Sequence, residues 1–307
     1  ASLRVPLLLN MTKTPPGDRQ VRWLLLPYAA GLVLLIILPA LLSFALAFFR
    51  YDGLSPPKFA GTLNFALAFT DDLFTLSIAN SLALVILPVP LRVLGAFLLA
   101  WLARGGRLSA LLRAAVFLPS AIPASAFALA WLWVLNPLYG PLNRVLGGLG
   151  LGQPGWLADG QWARPGIALL LLWLVGEGFL VGLAALYDVP RDLEDAAAAD
   201  GAGALGTLRH VLLPLLAPVL LLLAARDAVL LLPESFSHAR QLTEGGPYYA
   251  TFTLPQFIYE AAFDRLDFGL ASAALWVLYA LTGVLLVVVY VVARQWNVGT
   301  SEEDFLL

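Results

Sequence analysis

Long apolar runs alternate with short polar stretches along this chain of 307 residues. Crossing hydrocarbon as a helix takes about 20 apolar residues. Six stretches reach that length, roughly 23–49, 76–103, 112–135, 166–187, 211–233 and 270–293. The stretches between them, 50–75, 104–111, 136–165, 188–210 and 234–269, are richer in Gly, Pro and charge. The runs are continuous, without the residue-by-residue alternation of an outer-membrane barrel. Helices are then what satisfies the backbone in hydrocarbon. The expected fold is an all-α membrane protein, a bundle of six transmembrane helices. Pro39, Pro88, Pro90, Pro119, Pro123, Pro214 and Pro218 fall inside the runs. Each removes a backbone donor and favours a kink, for which plain irregularity and a gating role are both open readings.

Composition sharpens this picture. Hydrophobic residues make up 60% of the chain and charged residues 12%, against about 25% charged in soluble domains. A net charge of −2 leaves no nucleic-acid footprint. There is no cysteine and there are two histidines, His210 and His238, so thiolate sites are excluded and a histidine-built metal site has little to draw on. His210, beside Arg209, reads as a solvated juxtamembrane residue. Arg19 and Arg22 precede the first run, which exceeds the roughly 7–15 residues of a signal-peptide core, so an uncleaved first span is expected. Residues 1–10 precede Met11 and carry no weight; an appended remnant or a misplaced start is the expectation for them.

Lys and Arg set the orientation. With the N-terminus inside, ten cationic residues (Arg4, Lys13, Arg19, Arg22, Arg104, Arg107, Arg113, Arg191, Arg209 and Arg294) face the cytoplasm and six (Arg50, Lys58, Arg144, Arg164, Arg240 and Arg265) face outward. The expected organisation is a cytoplasmic tail over 1–22, one six-span domain over 23–293 containing a cytoplasmic loop over 188–214, and a cytoplasmic tail over 294–307. Trp156, Trp162, Tyr248 and Tyr249 in the outer loops match the ordinary interfacial placement of aromatics.

Catalytic patterns are absent. The chain has no HExxH, no GxSxG and no G-x-x-x-x-G-K-[ST], so no catalytic residue and no P-loop for ATP are expected. Four ionisable groups lie within the runs: Arg92, Glu177, Arg226 and Asp227, two of each sign. Charges at that depth cost at least about 2.5–3.5 kcal/mol each and pair or face a wet cavity. Neighbouring helix positions do not face each other, so Arg226 or Asp227 is expected to have another partner. Glu177, Arg226 and Asp227, with Trp131 as a stacking surface, are the candidates for a polar path for a hydroxylated solute. Inter-helix pairing, and core or lipid packing for Trp131, Trp133 and Trp173, are the alternatives. Arg92 reads as a snorkelling or packing residue.

One stretch between runs is neither apolar nor loop-like. Pro190 suits a first helical turn, and Asp192, Glu194 and Asp195 suit a helix N-terminus. Ala196 to Ala199 are strong helix formers. Gly201 permits a sharp turn, and a second helical segment leads into the fifth run. The expectation is helix, turn, helix on a membrane surface, a shape suited to docking a partner.

The spacing in this stretch is specific. Asp195-Ala196-Ala197 is followed by three residues and Gly201, then nine residues, Val211, Leu212 and Leu213-Pro214. It resembles the EAA loop of ABC importer permeases, with Asp195 in place of the family Glu and Val211 in place of Ile. Asp200-Gly201-Ala202 is similar to that family's Asp-Gly-Ala. Two further segments resemble the carbohydrate branch, the permeases of maltose and glycerol-3-phosphate importers. One is Arg113 to Pro119 with Trp131, Pro137, Tyr139-Gly140 and Asn143; the other is Leu242 to Pro247 with Ala250-Thr251. The resemblance covers about residues 20–295.

It implies a multi-pass subunit of a bacterial-type inner membrane that imports a sugar or oligosaccharide. Its implied partners are a second permease, a dimer of ATP-binding subunits and an extracytoplasmic solute-binding protein, within the lipid bilayer. Glu194, Asp195, Ala196, Ala197, Asp200 and Gly201 would couple it to the ATPases. No cofactor is expected in this chain, ATP and Mg belonging to the partners. Three alternatives remain. The machinery could carry glycerol-3-phosphate or another phosphorylated solute, with Arg226 meeting the anion. The chain could be an ion-coupled secondary transporter using Glu177 and Asp227, which the loop spacing argues against. It could also be a non-transporting scaffold.

Overall fold

A computed structural model describes residues 18–105 and 109–295. Most of both expected tails therefore lies outside the described residues, as do residues 106–108 of the second linker. Among the described residues four helices are long and apolar enough to cross a membrane: Trp23–Leu46, Asp72–Ala103, Ala204–Thr243 and Phe268–Gln295. Counting each of two bent pairs as one span brings the number to six, Ala110–Ala121 with Ala124–Val134 and Gly160–Trp173 with Gly176–Asp188. In chain order these are spans one to six, and they match the six apolar runs.

The prolines act unequally. Span three turns by 106° between Ala121 and Ala124. There Pro119 sits in a 3-10 turn, Ile122 is extended, and Pro123 precedes the second half-helix. Pro218 and Pro233 are instead carried within span five. Span four bends by 41° with no proline at the break. Its cause is packing. A Cβ on Gly176 would lie 2.5 Å from Ser120 Oγ and 3.1 Å from Phe117 Cα, so only glycine lets the broken helix sit against the bend of span three.

Burial divides the bundle. None of residues 23–46 is buried; span one touches span six through Phe44 on Trp276 (ring centroids 4.7 Å apart) and the Trp276 indole on Ser43 Oγ (3.3 Å). The core has two parts. One is built around Phe74, Phe127, Leu170, Leu231, Phe252 and Phe257, and the other around Phe97, Phe179, Leu186, Leu208 and Leu212.

Past span one, Phe49–Arg50 pairs antiparallel with Lys58–Phe59. Asp52 ties the hairpin tip by accepting from the Ser55 and Leu54 N–H groups (2.7 and 3.0 Å) and the Ser55 hydroxyl (2.7 Å). Those donors, the Ser55 N–H first, hold its carboxyl down at about 2.

Span five runs ten residues past the run expected to end at 233. Its last turns are polar, Glu234 to Thr243, and remain helical because Ser235, His238, Ala239 and Leu242 are buried against neighbouring elements. The Leu242-Thr-Glu-Gly-Gly-Pro247 motif then reverses the chain, with Glu244 and Gly245 in the left-handed region. Asn80 of span two donates to the Tyr249 and Phe252 carbonyls (2.9 Å each), and the Thr243 and Thr251 hydroxyls meet at 2.6 Å. Asn143 likewise ties the loop after span three, accepting from the Trp156 indole at 2.8 Å and donating to Pro137 and Pro154.

Candidate functional site: a charged cavity and an exposed loop on one helix

The intramembrane charges converge. Arg92 of span two, Glu177 at the start of the second half of span four, and Arg226 and Asp227 of span five line one cavity of about 220 Å³. Asp227 is the hub. Its Oδ2 lies 3.3 Å from Arg92 Nε, and its Oδ1 accepts from Arg226 Nη1 at 3.2 Å. Arg226 also pairs with Glu177. The expectation that Arg226 or Asp227 has another partner holds for both, but the neighbours also touch each other. The long arginine stem lets its guanidinium curl back onto the adjacent carboxylate, which short side chains at adjacent positions do not do.

Arg92 is no snorkelling residue. Only 11% of its side chain is exposed, and it points inward. Its second role is to donate from Nη2 to the Leu174 carbonyl at 2.7 Å, the acceptor set free where span four breaks. On the other side of that break the Gly176 N–H donates to Ser120 Oγ at 3.1 Å. Spans two and three thus satisfy both ends of the interruption, and the interruption puts Glu177 at the cavity.

Glu234, Ser237 and His238 line the same cavity and were missed because the apolar run ends at 233 and the polar residues after it read as a linker. A signal was available: Asp227, Glu234 and His238 are spaced by seven and four, one helical face. Trp131 belongs elsewhere. It is 8% exposed, packs on Trp173 and Phe127 with ring centroids 6.0 and 6.1 Å away, and does not line the cavity.

The 188–214 loop folds as helix, turn, helix. Pro190 precedes the helix Arg191–Ala199, and no residue of that helix is buried. Its end is closed by two bonds: the Gly201 N–H donates to the Ala198 carbonyl (3.0 Å) and the Ala202 N–H to Ala197 (2.9 Å). This reversal needs a left-handed residue, and Gly201 has φ +84°. The chain then enters Ala204–Thr207, whose following turn buries Leu208 and Leu212, and continues without interruption into Leu213–Thr243.

The two acids at the head of the loop differ. Glu194 Oε1 lies 2.6 Å from Arg104 Nη1 at the end of span two. Asp195 is exposed and has no ion pair among the described residues. Arg113 and Tyr187 brace the same corner, Arg113 donating to the Ala103 carbonyl and the Tyr187 hydroxyl to that of Arg104. His210 Nδ1 stays local, 3.0 Å from the Gly206 carbonyl.

Known proteins place this architecture. The chain is 32% identical over 273 residues to the sulfoquinovosyl glycerol transport system permease protein SmoG of Agrobacterium fabrum, covering 87% of this chain and 88% of that one. It is 33% identical over 274 residues to the diacetylchitobiose uptake system permease protein NgcF of Streptomyces coelicolor, covering 82% and 76%. In fold it is similar to a chain of a bacterial alginate ABC transporter solved with an alginate pentasaccharide-bound periplasmic protein, with a TM-score of 0.76 at 21% identity over 92% and 96% of the two chains. The profile of the binding-protein-dependent transport system inner membrane component matches residues 92–297. The chain is therefore a multi-pass inner-membrane permease of the binding-protein-dependent ABC transporter family, of the carbohydrate type.

Proposed function

We propose that this chain forms, with a second permease, the membrane path of an ATP-driven importer for a sugar or oligosaccharide, and that its 188–214 loop docks on an ATP-binding subunit. One observation carries the proposal. Ala204–Thr243 is a single helix that begins at the exposed loop and carries Arg226, Asp227, Glu234 and His238 into the cavity. A push on the loop would thus act on the cavity wall through one element.

Several features support the assignments. The helix Arg191–Ala199 has no buried residue and small side chains at Ala196 to Ala199, which permits close approach of a partner. Glu194 is already paired within the chain, so Asp195, at the family Glu position, is the carboxylate left for a basic residue of the ATPase. Ala196 and Ala197 give the contact face, Asp200 ends the helix and Gly201 is the hinge. A cavity of about 220 Å³ is smaller than the roughly 300–1,000 Å³ of complete ligand pockets, in keeping with a path that needs a second permease for its other wall. The cationic bias, ten residues against six, supports a cytoplasmic loop and cytoplasmic termini. ATP and Mg would bind on the partners, and an extracytoplasmic binding protein would deliver the solute.

The test is uptake by the assembled importer in proteoliposomes. Gly201→Asp is expected to leave insertion intact and to abolish solute-stimulated ATP hydrolysis; normal stimulation refutes the coupling role. Arg226→Ala and Asp227→Asn are expected to lower uptake strongly. Unchanged uptake in both removes the path.

A further inference from the structure

A second cavity, of about 470 Å³, lies beyond the end of span one, against the start of span six. Its walls hold three cations, Arg50, Lys58 and Arg265, and two carboxylates, Asp52 and Asp267. Arg50 and Lys58 are cross-strand partners in the hairpin. Such partners project to one face, and like charges there repel. Neither makes an ion pair among the described residues. The carboxylates are engaged elsewhere, Asp52 in its own turn and Asp267 by the Leu270 N–H at 3.0 Å. Arg265 has Asp71 at 4.0 Å and rests over the Phe257 ring. Backbone bonds hold the repulsion in place. Buried Asn64 donates to the Ala47 and Phe49 carbonyls (2.9 and 2.8 Å), and the Phe268 N–H donates to the Tyr51 carbonyl (2.9 Å). Leu266 lines the cavity at φ +52°, a backbone conformation costly for a leucine. Like charges and a strained residue held together in one cavity call for an anion.

The far side of the helix Leu63–Thr70 says which anion. Asn64 and Leu67 face the cationic cavity, while Phe65 and Phe69 face a groove of about 370 Å³ between spans one and six. Phe44, Trp276, Leu281 and Val284 help to line that groove, and its lining is wholly apolar. From Asp267 to Trp276 is nine residues, about 14 Å down span six. The groove therefore begins within one leaflet of a core about 30 Å thick. On the hairpin's other face Phe49 and Phe59 stack with ring centroids 5.4 Å apart, and Phe59 is exposed. We propose that this corner binds an anionic phospholipid, with its phosphodiester among Arg50, Lys58 and Arg265 and an acyl chain in the groove. Basic clusters beside a span hold anionic headgroups, and the guanidinium fork fits phosphate oxygens. Three cations against two carboxylates leave one positive charge, which one phosphodiester balances. A zwitterionic headgroup would bring an ammonium toward the same cations. The site lies apart from the charged cavity of spans two to five and is independent of the solute carried.

The full chain, purified in detergent, is titrated with dioleoyl phosphatidylglycerol, dioleoyl phosphatidylethanolamine or inorganic phosphate, and bound lipid is counted by native mass spectrometry. Phosphatidylglycerol is expected to be retained several-fold more than phosphatidylethanolamine, and to raise the melting temperature more than phosphate does at equal concentration. Arg50→Gln and Lys58→Gln should each weaken phosphatidylglycerol retention roughly fivefold, the scale of one basic residue at an anionic headgroup. Retention of phosphatidylethanolamine should not change. Each substitution relieves a like-charge pair, so the lipid-free variants should melt no lower than the unsubstituted chain, which shows that they fold. Ala280→Trp, which fills the groove, should weaken retention as well. Arg144→Gln removes the same charge from an exposed site in another loop and should change nothing. The preference should persist in the importer assembled with its partners.

Equal retention of the two lipids, or a loss in Arg144→Gln as large as in Lys58→Gln, overturns the site. Stabilisation by phosphate as great as by phosphatidylglycerol makes it a free-anion pocket, and the lipid falls. Indifference to Ala280→Trp overturns the acyl chain's place in the groove. If the preference disappears in the assembled importer, the groove is filled by the second permease and the lipid site falls. None of these outcomes touches the path, which stands or falls on uptake by the Arg226 and Asp227 variants.

Discussion

In the 190–203 loop, Glu194 is half-exposed on Arg104 and Asp195 stands in solvent; in the cavity, Asp227 is 9% exposed in its side chain and holds two guanidiniums. The loop makes its shape from neighbours in sequence: a proline, a run of alanines and a glycine, closed by bonds spanning three and five residues. The cavity makes its shape from spans two, three, four and five, so no stretch of the chain contains it. A locally built element can present a surface and move as a unit. A site assembled from four helices changes whenever one of them shifts. That difference suits the loop to receive a push and the cavity to respond to it.

Removing Asp227 should expose this contrast most sharply. Asp227→Ala leaves Arg92 and Arg226 facing each other, and loss of one partner from a buried pair costs about 3–5 kcal/mol. Folded yield and melting temperature in detergent should fall steeply, and Arg92→Met combined with Asp227→Leu should recover much of the loss. Tolerance of the single change would mean that the cavity is not one electrostatic unit.

Gly201→Ala comes next. No atom lies within 4 Å of the added methyl, so the penalty is only the left-handed backbone, about 1–2 kcal/mol. Melting should drop slightly while solute-stimulated ATP hydrolysis drops several-fold. Equal losses in both would make the turn merely structural.

The two loop acids should separate more gently. Glu194→Gln breaks a partly exposed pair, worth under about 1 kcal/mol, and should lower melting a little. Asp195→Asn should leave melting alone and weaken ATPase binding, read by co-purification. The reverse pattern would exchange their roles. Smallest of all is Trp131→Phe, which keeps an aromatic in the core and should leave the solute dependence of uptake unchanged; a changed solute preference would return Trp131 to the path.

The same contrast explains what could be read in advance. Six apolar runs announce six spans, because hydrocarbon imposes length and composition on each separately. The loop was legible residue by residue, since its spacing and its geometry are both local. The cavity was legible only as four costly charges that needed partners. Which partners depends on how helices pack, so Arg92 stayed open between snorkelling and packing, and the bond between Arg226 and Asp227 was not foreseen. The end of the apolar run at 233 hid Glu234 and His238, because tertiary burial keeps the polar turns beyond it helical, past Pro233. The break in span four left no proline to find; it follows from Gly176 against Ser120, a contact between two spans.

The central claim is that the loop drives the cavity through span five. In the importer assembled with its partners, the reaction rate of Ser237→Cys with a neutral methanethiosulfonate is measured with and without a non-hydrolysable ATP analogue. The account predicts a several-fold change on nucleotide binding that disappears when Gly201→Asp is added. The same nucleotide-dependent change in the Gly201→Asp background, or none when Gly201 is retained, would contradict it.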